Sequence, residues 1–177
     1  MAGNLEFVKS VEVTTSVLSI DVTNCFSADY DVYKITTNDF STAGATGTAL
    51  YGRYIDSGGS VISASNYDIA YLNLKANLAF GESRFTNQTS LFYQFGVIDQ
   101  SPESNGGVAY IFNPFSSSSY TFSLSQTAGN LSGNLQGTKH IGVLKQTASM
   151  TGIQIFDGTG VRPFDEGKVS VYGLASN

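Results

Sequence analysis

Tryptophan is absent from this 177-residue chain, cysteine and histidine occur once each, and proline occurs three times. Charge is scarce too: Asp, Glu, Lys and Arg make up 13% of residues, about half the usual share of ~25%. Each shortage excludes something. A single cysteine, Cys25, cannot form a disulfide within the chain; beside Phe26 it reads as a small buried apolar residue. One cysteine and one histidine cannot build a zinc site. A nucleophilic triad through His140 is not expected either, because no Gly-x-Ser-x-Gly elbow accompanies it. His140 reads instead as a loop or strand-edge residue following a glycine-rich stretch. The nine basic residues are scattered, so no cluster is available to neutralise a run of phosphates, and nucleic acid is not expected as a partner.

Long hydrophobic runs are missing as well. None reaches about 18 residues, so no membrane-spanning helix is expected. Met1 to Ser10 lacks the basic-then-apolar pattern of a signal peptide. Without one, the sequons Asn87-Gln88-Thr89 and Asn130-Leu131-Ser132 carry little weight.

What the chain does have is Ser, Thr, Asn and Gly, together 70 of its 177 residues, along with 10 Tyr and 12 Phe. β-branched and aromatic residues suit pleated, half-buried surfaces, and Ser, Asn and Gly suit the turns between them. The net charge of −5 favours solubility and decides little else.

Helical periodicity is nearly absent, whereas alternation is common. Strands are expected at Leu5–Val13, Val17–Val22, Tyr30–Thr37 and Thr48–Asp56. The turn Asp56-Ser57-Gly58-Gly59-Ser60 leads to a short Val61-Ile62 strand. Further strands are expected at Tyr67–Lys75, Thr89–Ile98, Val108–Asn113, Tyr120–Leu124, Lys139–Thr147, Gly152–Phe156 and Lys168–Tyr172. Loops are expected at Asn38–Gly47, Ala76–Gln88, Asp99–Gly107 and Gln126–Thr138. Many short strands with frequent turn signals predict an all-β fold: an antiparallel two-sheet sandwich, jelly-roll-like, in preference to an up-and-down barrel. A chain of this length buries enough surface for one core. Residues 1–29 are expected to form N-terminal strands or a docking segment, and residues 30–177 the β-sandwich domain.

Several residues carry groups that chemistry could use. Asp56, Asp68 and Glu82 are acids near aromatic residues, suited in principle to glycoside hydrolysis, but they read as solvated turn and strand residues. Asp157-Gly158-Thr159-Gly160 and Asp29-Tyr30-Asp31 are calcium candidates that read better as turn and strand-start signals. Tyr51, Tyr54, Tyr67, Tyr71 and Tyr110 suit sugar stacking if exposed, and core or interface packing otherwise. No catalytic, cofactor-binding or metal-binding residue is assigned, no cofactor is expected, and the chain is not expected to be an enzyme.

Three stretches carry a family resemblance when taken together. They are Leu50–Gly59 running on to Ser65–Leu72, Ile111–Ser116, and Met150–Phe156 with Gly167–Gly173. As a set they resemble a β-domain of marine tailed-phage structural proteins, especially those of cyanophages, found in tail-fibre-like and capsid knob or decoration proteins. The resemblance spans about residues 30 to 173. It implies a virion location and a non-enzymatic structural role on the particle surface, on capsid or tail. The major capsid protein or other virion proteins would be partners, in a homo-oligomer with a trimer favoured. The alternative is a carbohydrate-binding sandwich of a fibre tip that recognises host surface glycans, and a glycan-degrading enzyme ranks third.

Overall fold

A computed structural model describes residues 4–42, 47–99 and 105–175. The expected loops at Asn38–Gly47 and Asp99–Gly107 fall partly outside these residues. The described residues form twelve strands: β1 (Leu5–Glu12), β2 (Ser19–Val22), β3 (Val32–Thr42), β4 (Thr48–Asp56), β5 (Tyr67–Lys75), β6 (Gly81–Gln88), β7 (Val97–Ile98), β8 (Gly106–Phe112), β9 (Thr121–Leu131), β10 (Asn134–Leu144), β11 (Met150–Asp157) and β12 (Phe164–Leu174). They build two antiparallel sheets. The larger has eight strands in the order β1-β12-β3-β8-β9-β10-β5-β6, and the smaller has four in the order β2-β11-β4-β7. The fold is thus the all-β, jelly-roll-like sandwich the alternation predicts.

The two sheets enclose one core. Tyr33, Ile35, Ile111, Val169 and Val171 from the large sheet meet Leu50, Tyr54, Ile153 and Ile155 from the small one, all buried. Cys25 belongs to this core and donates to the Val22 carbonyl oxygen at 3.2 Å; burial pushes its thiol up to about 12. β1 pairs with β12 at one edge of the large sheet, and β2 pairs with β11 at one edge of the small sheet.

Two expected loops are strands instead. Ala76–Gln88 contains β6, which pairs with β5. A bulge follows at Asn87, whose φ is 55°, and its backbone N–H donates to Asp68 Oδ1 at 2.8 Å. Gln126–Thr138 holds the end of β9, the start of β10 and the tight turn between them. Leu131 pairs with Asn134, and Ser132 and Gly133 have φ of 54° and 74°. Two central residues at positive φ make the hairpin turn whose twist matches paired strands. Gly133 serves this turn, whereas Gly129, Asn130 and Gly137 lie in the paired strands. Conversely, Thr89–Ile98 is mostly a turn segment packed against β4, with Leu91 and Gly52 exchanging backbone hydrogen bonds at 2.9 and 3.1 Å. His140, expected at a loop or strand edge, lies well inside β10 and is buried.

Candidate functional site

The sequence pattern and the burial pattern disagree most sharply in β9. Thr121, Ser123, Ser125 and Thr127 point into the sandwich and are buried, while Phe122 and Leu124 point out, 51% and 41% exposed. Soluble sheets ordinarily do the reverse. A buried polar row beside an exposed apolar row is the informative kind of exception. β10 repeats it: His140 is inside and Ile141, its neighbour, is 61% exposed.

Strand register turns these residues into a continuous face. Along one row of the large sheet lie Arg84, Ala70, Ile141, Leu124, Tyr110 and Lys34 on successive strands. A second row runs Glu82, Leu72, Lys139, Gln126 and Val108. A third runs Asp68, Val143, Phe122 and Phe112. With strands about 4.8 Å apart, apolar side chains in register are direct neighbours. Leu135, also exposed, extends the face toward the β9–β10 turn.

Two adjoining hollows of about 580 and 680 Å³ lie over β5, β6, β9 and β10. Their apolar lining includes Ala70, Leu72, Ile141, Phe122 and Leu124, and the charged groups at their margins are Glu82, Arg84, Lys139 and Asp68. Asp68 is engaged by the Asn87 N–H and by Lys145 Nζ at 2.9 Å, and these two partners hold its carboxyl below the usual range. Lys145 also donates to Asn87 Oδ1 at 3.0 Å.

The three weighed acids do not come together. Asp56 Oδ1 accepts from the Gly58 and Ser60 N–H groups, both at 2.9 Å, and so caps a turn of the small sheet. Asp68 and Glu82 share the outward face, but Glu82 lies opposite Leu72, four residues along β5 from Asp68. That is about 13 Å at ~3.3 Å per residue, beyond the ~5–9.5 Å separation of glycosidase carboxylate pairs.

The calcium candidate at Asp157 is a turn anchor. This buried carboxylate accepts from Thr48 Oγ1 and Thr159 Oγ1, and from the Val161 and Arg162 N–H groups at 3.1 and 3.0 Å. Burial opposes its charge, but the hydrogen bonds outweigh that and hold the carboxyl low. At the other candidate, Asp29 is exposed and accepts from Ser27 Oγ at 2.8 Å.

The tyrosines divide. Of the five tyrosines singled out, Tyr54, Tyr67 and Tyr71 are core residues and Tyr110 lies on the outward face. Tyr51 is half-buried against Phe92 and Phe156, with ring centroids 4.8 and 5.8 Å apart. Burial first, then the nearby Tyr93 and Tyr71, push its hydroxyl up to about 12. Tyr93 joins this cluster from a backbone at φ 57°, unusual for a bulky side chain. His140 stacks on Tyr71 at 6.3 Å and 12°, and neither of its ring nitrogens has a hydrogen-bond partner. Sequence reasoning missed the outward face because Phe122, Leu124 and Ile141 look like core residues. The hydroxyl-bearing residues between them were the available signal.

No family model and no curated protein matches the chain. Solved structures to which it is similar include an alginate lyase in complex with alginate tetrasaccharide, at 12% identity and TM-score 0.40, covering 95% of this chain and 80% of that one. Another is an endo-β-1,4-glucuronan lyase from the fungus Trichoderma reesei, at 9% identity and TM-score 0.30, covering 98% and 87%. A family 7 alginate lyase matches at 7% identity and TM-score 0.23, covering 84% and 64%. The expectation that this chain is not an enzyme is corrected accordingly, since these neighbours are polysaccharide lyases. At such identities and scores the likeness assigns no reaction and no residue to this chain.

Proposed function

We propose that the protein is a structural component of a phage virion surface and that the outward face of the eight-stranded sheet is its binding surface. The reversed patterning of β9 and β10 is the observation that supports the choice of face, because it leaves Phe122, Leu124 and Ile141 in solvent. Contiguous apolar patches beyond a few hundred Å² are rare on monomeric soluble proteins and mark interaction sites. The virion setting is what the resemblance over residues 30 to 173 implies, with the major capsid protein or other virion proteins as neighbours. A cryo-EM map of the particle is the test. The expected result is this sandwich on capsid or tail with the outward face covered; a particle lacking the chain contradicts the proposal.

One observation favours a second reading, the binding of host surface glycans. Arg84, Lys139 and Glu82 surround the apolar hollow over Ala70, Leu72 and Ile141, and small-molecule sites combine an apolar lining with a few such polar groups. A glycan array is expected to give a signal that Arg84→Ala removes. An array without signal sinks this second reading.

A further inference from the structure

We propose that a second copy of this chain covers the outward face, with the two eight-stranded sheets packed face to face about a two-fold axis. This rests on the reading above for the choice of face and deepens it by naming the occupant.

Area is the first argument. Phe122, Leu124, Ile141, Leu72 and Leu135 are between 41% and 61% exposed, on the order of 500 Å² of apolar surface. Their row neighbours Tyr110, Phe112, Val108 and Val143 are only partly buried and lie on the same face. Covering the whole face approaches the ~800 Å² per partner of a stable protein interface.

Side-chain chemistry is the second. Aliphatic Leu124, Ile141, Leu72 and Val143 share the face with the rings of Phe122, Phe112 and Tyr110. Such side chains interdigitate between stacked sheets about 10 Å apart. Sugars call for flat ring faces ringed by hydrogen-bonding groups, whereas the charged groups here, Glu82, Arg84, Lys139 and Asp68, stand at the margins of the hollows. A protein surface therefore fits the centre better than a glycan.

Charge is the third. Copies of a chain with net charge −5 repel one another. The outward face escapes this, because Arg84 and Lys139 balance Glu82 and Asp68 around the hollows and Lys34 adds a cation further along the Arg84 row. It is apolar at its centre and free of net negative charge, so it can meet its own copy.

Symmetry sets the number. A single self-complementary face closes with two copies, whereas a ring of three needs two different surfaces. The proposal is therefore a pair rather than the expected trimer.

The test is sedimentation velocity of the full chain from low to high micromolar concentration. The expected result is a concentration-dependent species of twice the 18.8 kDa monomer mass. Leu124→Thr with Ile141→Thr is expected to abolish it while keeping the wild-type far-UV spectrum. Val161→Thr, at an exposed site outside the sheets, is expected to leave it unchanged. If the double variant fails to fold, Ile141→Lys alone serves, since the position is already open to solvent. A wild type that stays monomeric throughout overturns the proposal, as does a folded face variant that associates normally or a trimer insensitive to these changes. Co-sedimentation with the phage particle separates the two readings. A monomeric chain that joins the particle overturns the pairing alone, and a paired chain absent from the particle overturns the virion reading alone.

Discussion

His140 shares the sandwich interior with the hydroxyl row of β9 and the ring of Tyr71. Burial lowers the pKa of its imidazole from 6.5 to about 4. In that interval the unfolded chain binds a proton that the folded chain refuses. Folding stability is therefore full above about pH 6.5 and falls as the pH drops toward 4. The loss is roughly 3 kcal/mol at ~1.4 kcal/mol per pH unit. The carboxyls of Asp68 and Asp157 are shifted down, so their contributions are lost only below about pH 4, the unfolded carboxylate range. The window above belongs to the histidine. Urea midpoints measured between pH 7 and 4.5 are expected to fall for the wild type and to stay nearly level for His140→Phe; equal slopes refute the assignment. Asp157 makes a second residue-scale prediction. Asp157→Ala leaves two hydroxyls and two backbone N–H groups without their acceptor, and roughly 2–4 kcal/mol of stability is expected to be lost. The check is a lower denaturant midpoint at unchanged slope.

At the scale of elements, β1 is the strand whose removal is most informative. It pairs on one side only, with β12, and most of its residues are exposed or half-buried. Val8, Val11 and Val13 touch the margin of the core. Deleting residues 1–14 is expected to keep the sheet signal in circular dichroism and to lower the melting temperature. If residues 1–29 act as a docking segment, the folded, truncated chain is expected to lose particle binding. Complete unfolding on truncation rules that role out. Elements differed in how plainly the chain announced them. β5 was legible because the strand-favouring Tyr67, Ile69 and Tyr71 recur at every second position, and these are the residues buried. β6 was not, since GESRFTNQ at a solvent-facing edge has no apolar periodicity. The β9–β10 hairpin was misread because its strands bury Thr and Ser while exposing Phe and Leu. In β9 the pairing with β8 and β10, rather than hydrophobicity, sets which side faces the core. The acids weighed for chemistry were legible as residues. The separation of Asp68 and Glu82 depends on the register of β5 against β6, which composition cannot supply.

For the whole molecule, the sandwich closes one core between its two sheets, and the described residues leave the outward face of the larger sheet uncovered. Exposing Phe122, Leu124 and Ile141 forgoes about 25 cal/mol for each Å² left in water. A partner that covers them recovers that term, less the cost of association. The central claim is that this face is buried in the assembled protein. Hydroxyl-radical footprinting across a dilution series tests it residue by residue, with the highly exposed Val161 and Phe80 as references. Phe122, Leu124 and Ile141 are expected to be protected at high protein concentration and to become reactive on dilution, while Val161 and Phe80 react throughout. Modification of Phe122, Leu124 and Ile141 that does not change with concentration, at a level matching their exposure in the single chain, would contradict it.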